Sequence, residues 1–258
     1  MEKNKNIEAL ILAGGYGSRL EEITKTIPKP LVKIGSKPII LHIMKQYLKH
    51  GIKTFYVALG YKGNELIKYF NKKNTKLKFN TKLVINYKIS NKSCKIVFIN
   101  TGRNSMTGGR LKLASKFIKG ENFLFTYGDG ISNVNITKLM NFHLKKKKLI
   151  TMTAVNPPPR FGLVKIKGNL GIKFKEKSKI KSAWINGGFF TVNKKFVKFI
   201  KNHKSILEEH PLETASKKKE LLVYKHHGFW QCMDTKRDKD ILNKIYKSKS
   251  LIKKLNLN

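Results

Sequence analysis

The sequence predicts an α/β fold, a Rossmann-like, open and mostly parallel sheet flanked by helices. Three observations predict it. Strand-like and helix-like segments alternate along the chain. Two apolar runs, at residues 10–13 and 123–127, are nearly continuous, as strands covered on both faces require. Each run stops at glycine, at Gly14-Gly15 and at Gly128-Asp129-Gly130. Open α/β sheets gather their ligands at the carboxyl ends of such strands, so the two loops share one crevice.

Residues 9–13 form the first strand. Residues 39–50 carry helical apolar spacing and close on Gly51, a C-cap. A strand at 54–59 and a helix at 63–70 follow, then strand-like stretches at 83–87 and 96–99 and a helix at 109–117. Residues 123–127 are a buried strand, 135–147 a helix and 149–155 the next strand. Pro157-Pro158-Pro159 then punctuates the chain. Beyond it come strands at 162–166, 172–174 and 184–192, a helix near 194–202, a strand at 220–224, a short aromatic strand and a closing helix at 236–247. There is no internal repeat and no linker. The 258 residues read as one domain, long enough for a full core. Residues 1–156 form its nucleotide-binding half, and 157–258 its acceptor-binding half with the closing helix.

The formal charge of +40 invites a nucleic-acid reading. The basic residues, however, are overwhelmingly lysine and spread along the chain. Only five are arginine, with no Arg-rich block and no repeating stacking platform. Attraction of nucleotides and sugar phosphates is the more useful consequence, and no specific nucleic-acid partner is expected. The run Lys145 to Lys148 ends a helix as a solvated face. No apolar run reaches membrane-spanning length, and the N-terminus does not read as a signal peptide. Cys94 and Cys232 make neither a disulfide framework nor a zinc pattern. They read as buried or half-buried thiols in a reducing cytoplasm.

The loop Gly14-Gly15-Tyr16-Gly17-Ser18-Arg19 is neither G-x-G-x-x-G nor G-x-x-x-x-G-K-[ST]. Closely spaced amides with glycine suit a triphosphate. Alone, the loop equally suits a turn carrying a surface arginine. Pro28-Lys29-Pro30 at this spacing tips the reading to phosphate, with Arg19 and Lys29 as fixed cations.

The bias toward lysine makes rare types informative: there are only four aspartates. Asp129, between two glycines after an apolar strand, suits a divalent ion over phosphates. Mg²⁺ often takes only one or two protein carboxylates. Asp234 is the second candidate, or else a helix N-cap. Asp238 and Asp240 lie inside the closing helix and read as surface charges. Ser105-Met106-Thr107-Gly108-Gly109-Arg110 opens a helix, where Gly-Gly permits close approach of a base or ribose; an ordinary capped helix reads as well. Lys177, after Glu176, could meet a second phosphate. Asn186-Gly187 suits sugar hydroxyls, or a β-bulge. None of the seven histidines sits in a nucleophile or zinc motif. None is needed if the acceptor is a sugar phosphate, which is largely a dianion at neutral pH.

LAGGYGSRL with PKP resembles the nucleotide loop of sugar-phosphate nucleotidylyltransferases. GSKPIILHIMKQYLKHGI, LGYKGNELIKYF, SMTGGRLK, FLFTYGDG, PPPRFG, WINGGFF and GFWQCMDTKRDK narrow the resemblance to the glucose-1-phosphate cytidylyltransferases, over nearly the whole chain. Ser18 stands where threonine is usual and keeps the hydroxyl. Ser178 and His210 stand where proline and an acidic residue are usual.

The resemblance implies a nucleotide-diphospho-sugar transferase fold with a smaller acceptor-binding and oligomerisation portion. It implies that CTP and α-D-glucose 1-phosphate give CDP-glucose and pyrophosphate with Mg²⁺. Leu12, Ala13, Gly14, Gly15, Tyr16, Gly17, Ser18 and Arg19 would hold the nucleotide, with Ser105, Arg110 and Gly128 lining its site. Arg19, Lys29 and Asp129 would be catalytic, and Asp129 and Asp234 would carry the metal. Glu176, Lys177, Asn186 and Gly187 would bind the sugar phosphate. A homo-oligomer is implied, with a product that feeds deoxysugar synthesis for surface polysaccharides such as O-antigen. UTP or dTTP in place of CTP, and a silent nucleotide or polyanion binder, are the alternatives.

Overall fold

The computed structural model describes residues 7–157, 163–175 and 183–248. The first apolar run becomes β1 (Glu8–Ala13), buried throughout, inside an eight-stranded sheet. The other strands are β2 (Thr54–Leu59), β3 (Lys82–Ile89), β4 (Lys92–Asn100), β5 (Asn122–Tyr127), β6 (Ile150–Val155), β7 (Ile185–Asn193) and β8 (Leu221–His226). Their order is β8-β6-β7-β5-β1-β2-β4-β3. Only β3 and β7 run against the rest.

Both neighbours of β1 are parallel to it, with β2 continuing the sheet one way and β5 the other. That reversal opens a crevice at the carboxyl ends of β1 and β5, where Gly14 and Gly128 stand. A Cβ on Gly128 would lie 2.5 Å from the Leu12 carbonyl oxygen, so only glycine lets the two strand ends come this close.

Alternate residues of β1 feed two cores, as strand geometry requires. Ala9, Ile11 and Ala13 meet Ile39, Ile43 and Met44 of helix Ile39–Lys49, and Leu139 and Met140 of helix Ile136–Lys146. Leu10 and Leu12 meet Leu111 and Ala114 of helix Thr107–Ser115, with Phe196, Leu207 and Leu212. Strands buried on both faces read as unbroken apolar runs, which is why β1 and β5 were the most legible.

Residues 83–99 differ from expectation. Two short strands become one long antiparallel hairpin, turning at Ser90 and Asn91, both with positive φ. Its outer strand is half exposed, so alternation blurs the signal. The helix expected near 194–202 is a 3-10 turn, Lys194–Phe199, capped by the Asn193 side chain. Helix His210–Lys217 went unread; Pro211 in its first turn and buried Leu212 and Ala215 are its signals. Asp238 is not a surface charge. It is buried, and its carboxylate accepts from the Asp234 and Thr235 amides and the Thr235 hydroxyl, in a capping box. Thr235 rather than Asp234 is therefore the N-cap of helix Lys236–Lys247.

Candidate active site

Leaving β1, the chain turns through Gly17, whose φ of 68° suits glycine, into a 3-10 turn Ser18–Leu20. The Thr24 hydroxyl donates to the carbonyls of Gly17 and Leu20, and Lys62 reaches from the next loop to those of Thr24 and Lys25. The loop is thus braced from outside, with its inner face open. Leu12, Ala13 and residues 15–19 line a cleft of about 380 Å³ with Lys29, Ser105, Arg110, Gly128 and Asp129. Gly14 stands behind it, its carbonyl accepting from Tyr61 N and Arg110.

The strongest electrostatic feature is at the cleft's mouth. Lys29 opens a 3-10 turn between Pro28 and the buried Pro30. Its ammonium donates to Asp129 Oδ2 and Asp234 Oδ1, each at 2.7 Å. Arg19 Nη1 donates to Asp234 Oδ2 at 2.9 Å. A short antiparallel ladder brings the aspartates together: Gly130–Ser132 pairs with Trp230–Cys232, and Met233 N donates to the Asp129 carbonyl. Burial pulls the Lys29 pKa down, but the two carboxylates outweigh it and hold it above the ordinary lysine value.

Among the described residues no three His, Cys, Asp or Glu side chains converge. Asp129 and Asp234 are the pair that could hold a divalent cation. The Lys29 ammonium already occupies a cation position between them, so the donor set fits a hard ion that completes its shell with phosphate oxygens and water.

Arg110 lines the cleft and is not the surface arginine of the alternative reading. It is 4% exposed, and its guanidinium donates to the carbonyls of Gly14, Leu59, Gly102 and Arg103 and to the Thr101 hydroxyl. Burial lowers its pKa to about 10. It lines the cleft floor and ties the glycine loop to the neighbouring strand end. The Ser105 hydroxyl donates to Thr101 O. Gly108 and Gly109 admit backbone rather than a base: a Cβ on either would strike the carbonyl of Ser205 or of His203. Those carbonyls accept from Gly109 N and Met106 N.

Asn186 and Gly187 sit where β7 breaks register against β6, as the bulge reading expects, and neither is among the residues lining the cleft. Asn186 Nδ2 donates to the Tyr127 hydroxyl, and Trp230 Nε1 donates to Gly187 O. Glu176 and Lys177 lie outside the described residues. Sequence reasoning missed Tyr127, a cleft residue inside the FLFTYGDG run, and Glu208, which accepts its hydroxyl. It also missed Arg103, whose guanidinium lies 5.7 Å from the Tyr16 ring centre and 5.6 Å from that of Tyr61. With 55 basic residues, position rather than charge was the signal wanted there.

A glycine loop and two aspartates held by one lysine across an α/β crevice suit nucleotide-triphosphate chemistry. The chain belongs to the nucleotidyl transferase family, whose model matches residues 8–236. It is 42% identical to a glucose-1-phosphate cytidylyltransferase of Salmonella typhimurium, over 93% of this chain and 96% of that one. It is 36% identical to a probable glucose-1-phosphate cytidylyltransferase of Bacillus subtilis, over the same shares. Among solved structures, HddC from Yersinia pseudotuberculosis has the same fold, with a TM-score of 0.70 and 22% identity over 93% of this chain and all of that one.

Proposed function

We propose that the chain transfers CMP from CTP to α-D-glucose 1-phosphate, giving CDP-glucose and pyrophosphate. The Lys29–Asp129–Asp234 cluster beside the glycine loop carries the reaction class. The substrate pair follows the Salmonella and Bacillus relatives named for it.

The amides of residues 14–19 cradle the triphosphate, and Leu12, Ser105 and Gly128 border the nucleoside. Asn186 and Gly187 take the glucose, with Glu176 and Lys177 on the acceptor phosphate. The acceptor is a dianion and attacks the α-phosphorus in line without a protein base. Lys29 neutralises the reacting phosphates, and Arg19, 74% exposed in its side chain, swings from Asp234 to the leaving pyrophosphate. Asp129 and Asp234 would hold Mg²⁺, which when bound neutralises phosphate charge.

The reading of residues 1–156 and 157–258 as one unit is supported by the sheet, in which β7 and β8 lie alongside strands of the first half. A homo-oligomer is supported by the hairpin Leu163–Lys167 and Leu170–Lys175. There Val164 pairs with Phe174, and both are exposed with Ile166, Leu170 and Ile172. No described helix is long and apolar enough to cross a membrane, and the water-soluble substrates suit the cytoplasm.

Purified protein with Mg²⁺, glucose 1-phosphate and each NTP in turn tests the reading. Pyrophosphate release is expected with CTP above UTP and dTTP. None above background with CTP sinks it.

A further inference from the structure

Glu208 is one of only fifteen acidic residues in a chain with 55 basic ones, yet its carboxylate accepts hydrogen bonds from two neutral hydroxyls. It lies between the 3-10 turn Lys194–Phe199 and helix His210–Lys217. Oε1 accepts from the Tyr127 hydroxyl, and Oε2 accepts from Thr107 Oγ1 at 2.7 Å. The Thr107 oxygen in turn accepts from Leu207 N at 2.9 Å, so the segment bearing Glu208 is pinned to the start of helix Thr107–Ser115.

Tyr127 has one hydroxyl proton, and it is donated in the hydrogen bond to Glu208. The phenol oxygen is left as an acceptor, and Asn186 Nδ2 donates to it at 3.3 Å. The other end of the same amide is fixed as well, because Gly188 N donates to Asn186 Oδ1 at 2.8 Å. The order of donors therefore runs Asn186 to Tyr127 to Glu208. It sets which way the Asn186 amide is turned and leaves it one N–H to offer. Tyr127 and Thr107 both line the cleft, whereas Glu208 is exposed and is not among its lining residues.

We infer that Glu208 is a positioning residue for the sugar: through Tyr127 it fixes Asn186 as a directed hydrogen-bond donor to a hydroxyl of the acceptor. The inference rests on the reading of Asn186 as a sugar contact. It predicts that removing the Glu208 carboxylate acts on the sugar, since the partners of that carboxylate are Tyr127 and Thr107 and not the Lys29–Asp129–Asp234 cluster.

The test compares Glu208→Ala, Glu208→Gln, Tyr127→Phe and the double variant Glu208→Ala/Tyr127→Phe. Expected is a rise of about tenfold in KM for glucose 1-phosphate in Glu208→Ala and Tyr127→Phe, equivalent to about 1.4 kcal/mol. In Glu208→Ala KM for CTP should stay within about twofold, and for glucose 1-phosphate the double variant should be no worse than either single one. Glu208→Gln keeps an acceptor for the phenol and should recover most of the affinity.

A second readout does not need turnover. Trp230 donates to Gly187 O beside Asn186, so its fluorescence should follow ligand entering there. The Kd of CDP-glucose should rise in Glu208→Ala and Tyr127→Phe, while in Glu208→Ala that of CDP is unchanged. Unchanged sugar affinity, equal losses for CTP and sugar, or additive losses in the double variant each overturn the assignment. Wild-type protein that releases no pyrophosphate from CTP and glucose 1-phosphate sinks the functional reading instead.

Discussion

The two ends of the parallel strands handle carboxylates in opposite ways. At the amino ends, Glu8 is 7% exposed. Its Oε1 accepts from the Tyr56 hydroxyl at 2.8 Å, and its Oε2 from the amides of Lys119 and Gly120 at 2.8 and 3.1 Å. All three donors are neutral and fixed. At the carboxyl ends, the Asp129 side chain is 28% exposed and meets the charged end of a lysine. The lower network holds a loop in place. The upper one holds charge that a ligand can displace, because a lysine or arginine head can exchange one anion for another while a backbone amide cannot move. Rigidity at one end thus supports exchange at the other.

Removing charge from the upper cluster should have the largest effect. Asp129→Asn keeps the shape but takes away a full carboxylate, and kcat should fall by at least about 10²-fold, the scale of losing one preorganised electrostatic contact in an active site. The melting temperature should stay within a few degrees, since the side chain is part-exposed. Wild-type rates in Asp129→Asn would remove its assignment as metal ligand and erase the contrast between the two ends. Stability also reports on Lys29. Its folded pKa lies above 10.5, so what the cluster adds is fully present below that pH and is lost only as pH rises through the folded value. Lys29→Met should therefore flatten an alkaline fall in stability and leave the neutral range unchanged in slope.

Glu8→Gln tests the other end. Glutamine cannot accept from Tyr56 and both amides at once, so a buried donor loses its partner. Such a loss costs about 1–3 kcal/mol. For a chain of this size that lowers the melting temperature by about 2–4 °C per kcal/mol. The folded variant should keep KM for CTP and kcat within about twofold. A parallel collapse of kcat would mean that the two ends are coupled and that the lower network is more than a brace.

How much of this was legible follows from where each signal lives. Residues 10–13 and 123–127 announce buried strands because both of their faces are covered. The glycines that end them could be assigned to one crevice from strand direction alone. The convergence of Asp129 with Asp234 could not, because it depends on a three-residue ladder between segments a hundred residues apart. Arg110 and Gly108-Gly109 drew nucleotide readings because arginine and glycine at a helix start suit anions. Arg110 lines the cleft, but its guanidinium and the Gly109 amide also bind the protein's own carbonyls, which a linear motif cannot reveal. Glu208 and Tyr127 lay hidden for the same reason: their pairing crosses 81 positions.

The smallest expected effect sharpens the contrast from the lower side. His143, 1% exposed, is hydrogen-bonded to Thr151 Oγ1 at 2.8 Å and Asn122 Oδ1 at 3.2 Å, near the amino ends of β6 and β5. Burial lowers its pKa from 6.5 to about 4. The folded chain therefore binds fewer protons than the unfolded chain between those values, and stability falls as pH drops from 6.5 toward 4. At pH 5.5 the loss from this one group is about 1 kcal/mol. His42 and His226 are also lowered by burial, so they share in the acid fall. His143→Gln should reduce the slope of melting temperature against pH in this window without abolishing it. An unchanged slope would mean that His143 accepts its proton in the folded state, and the lower end of the sheet would then tolerate charge as the upper end does.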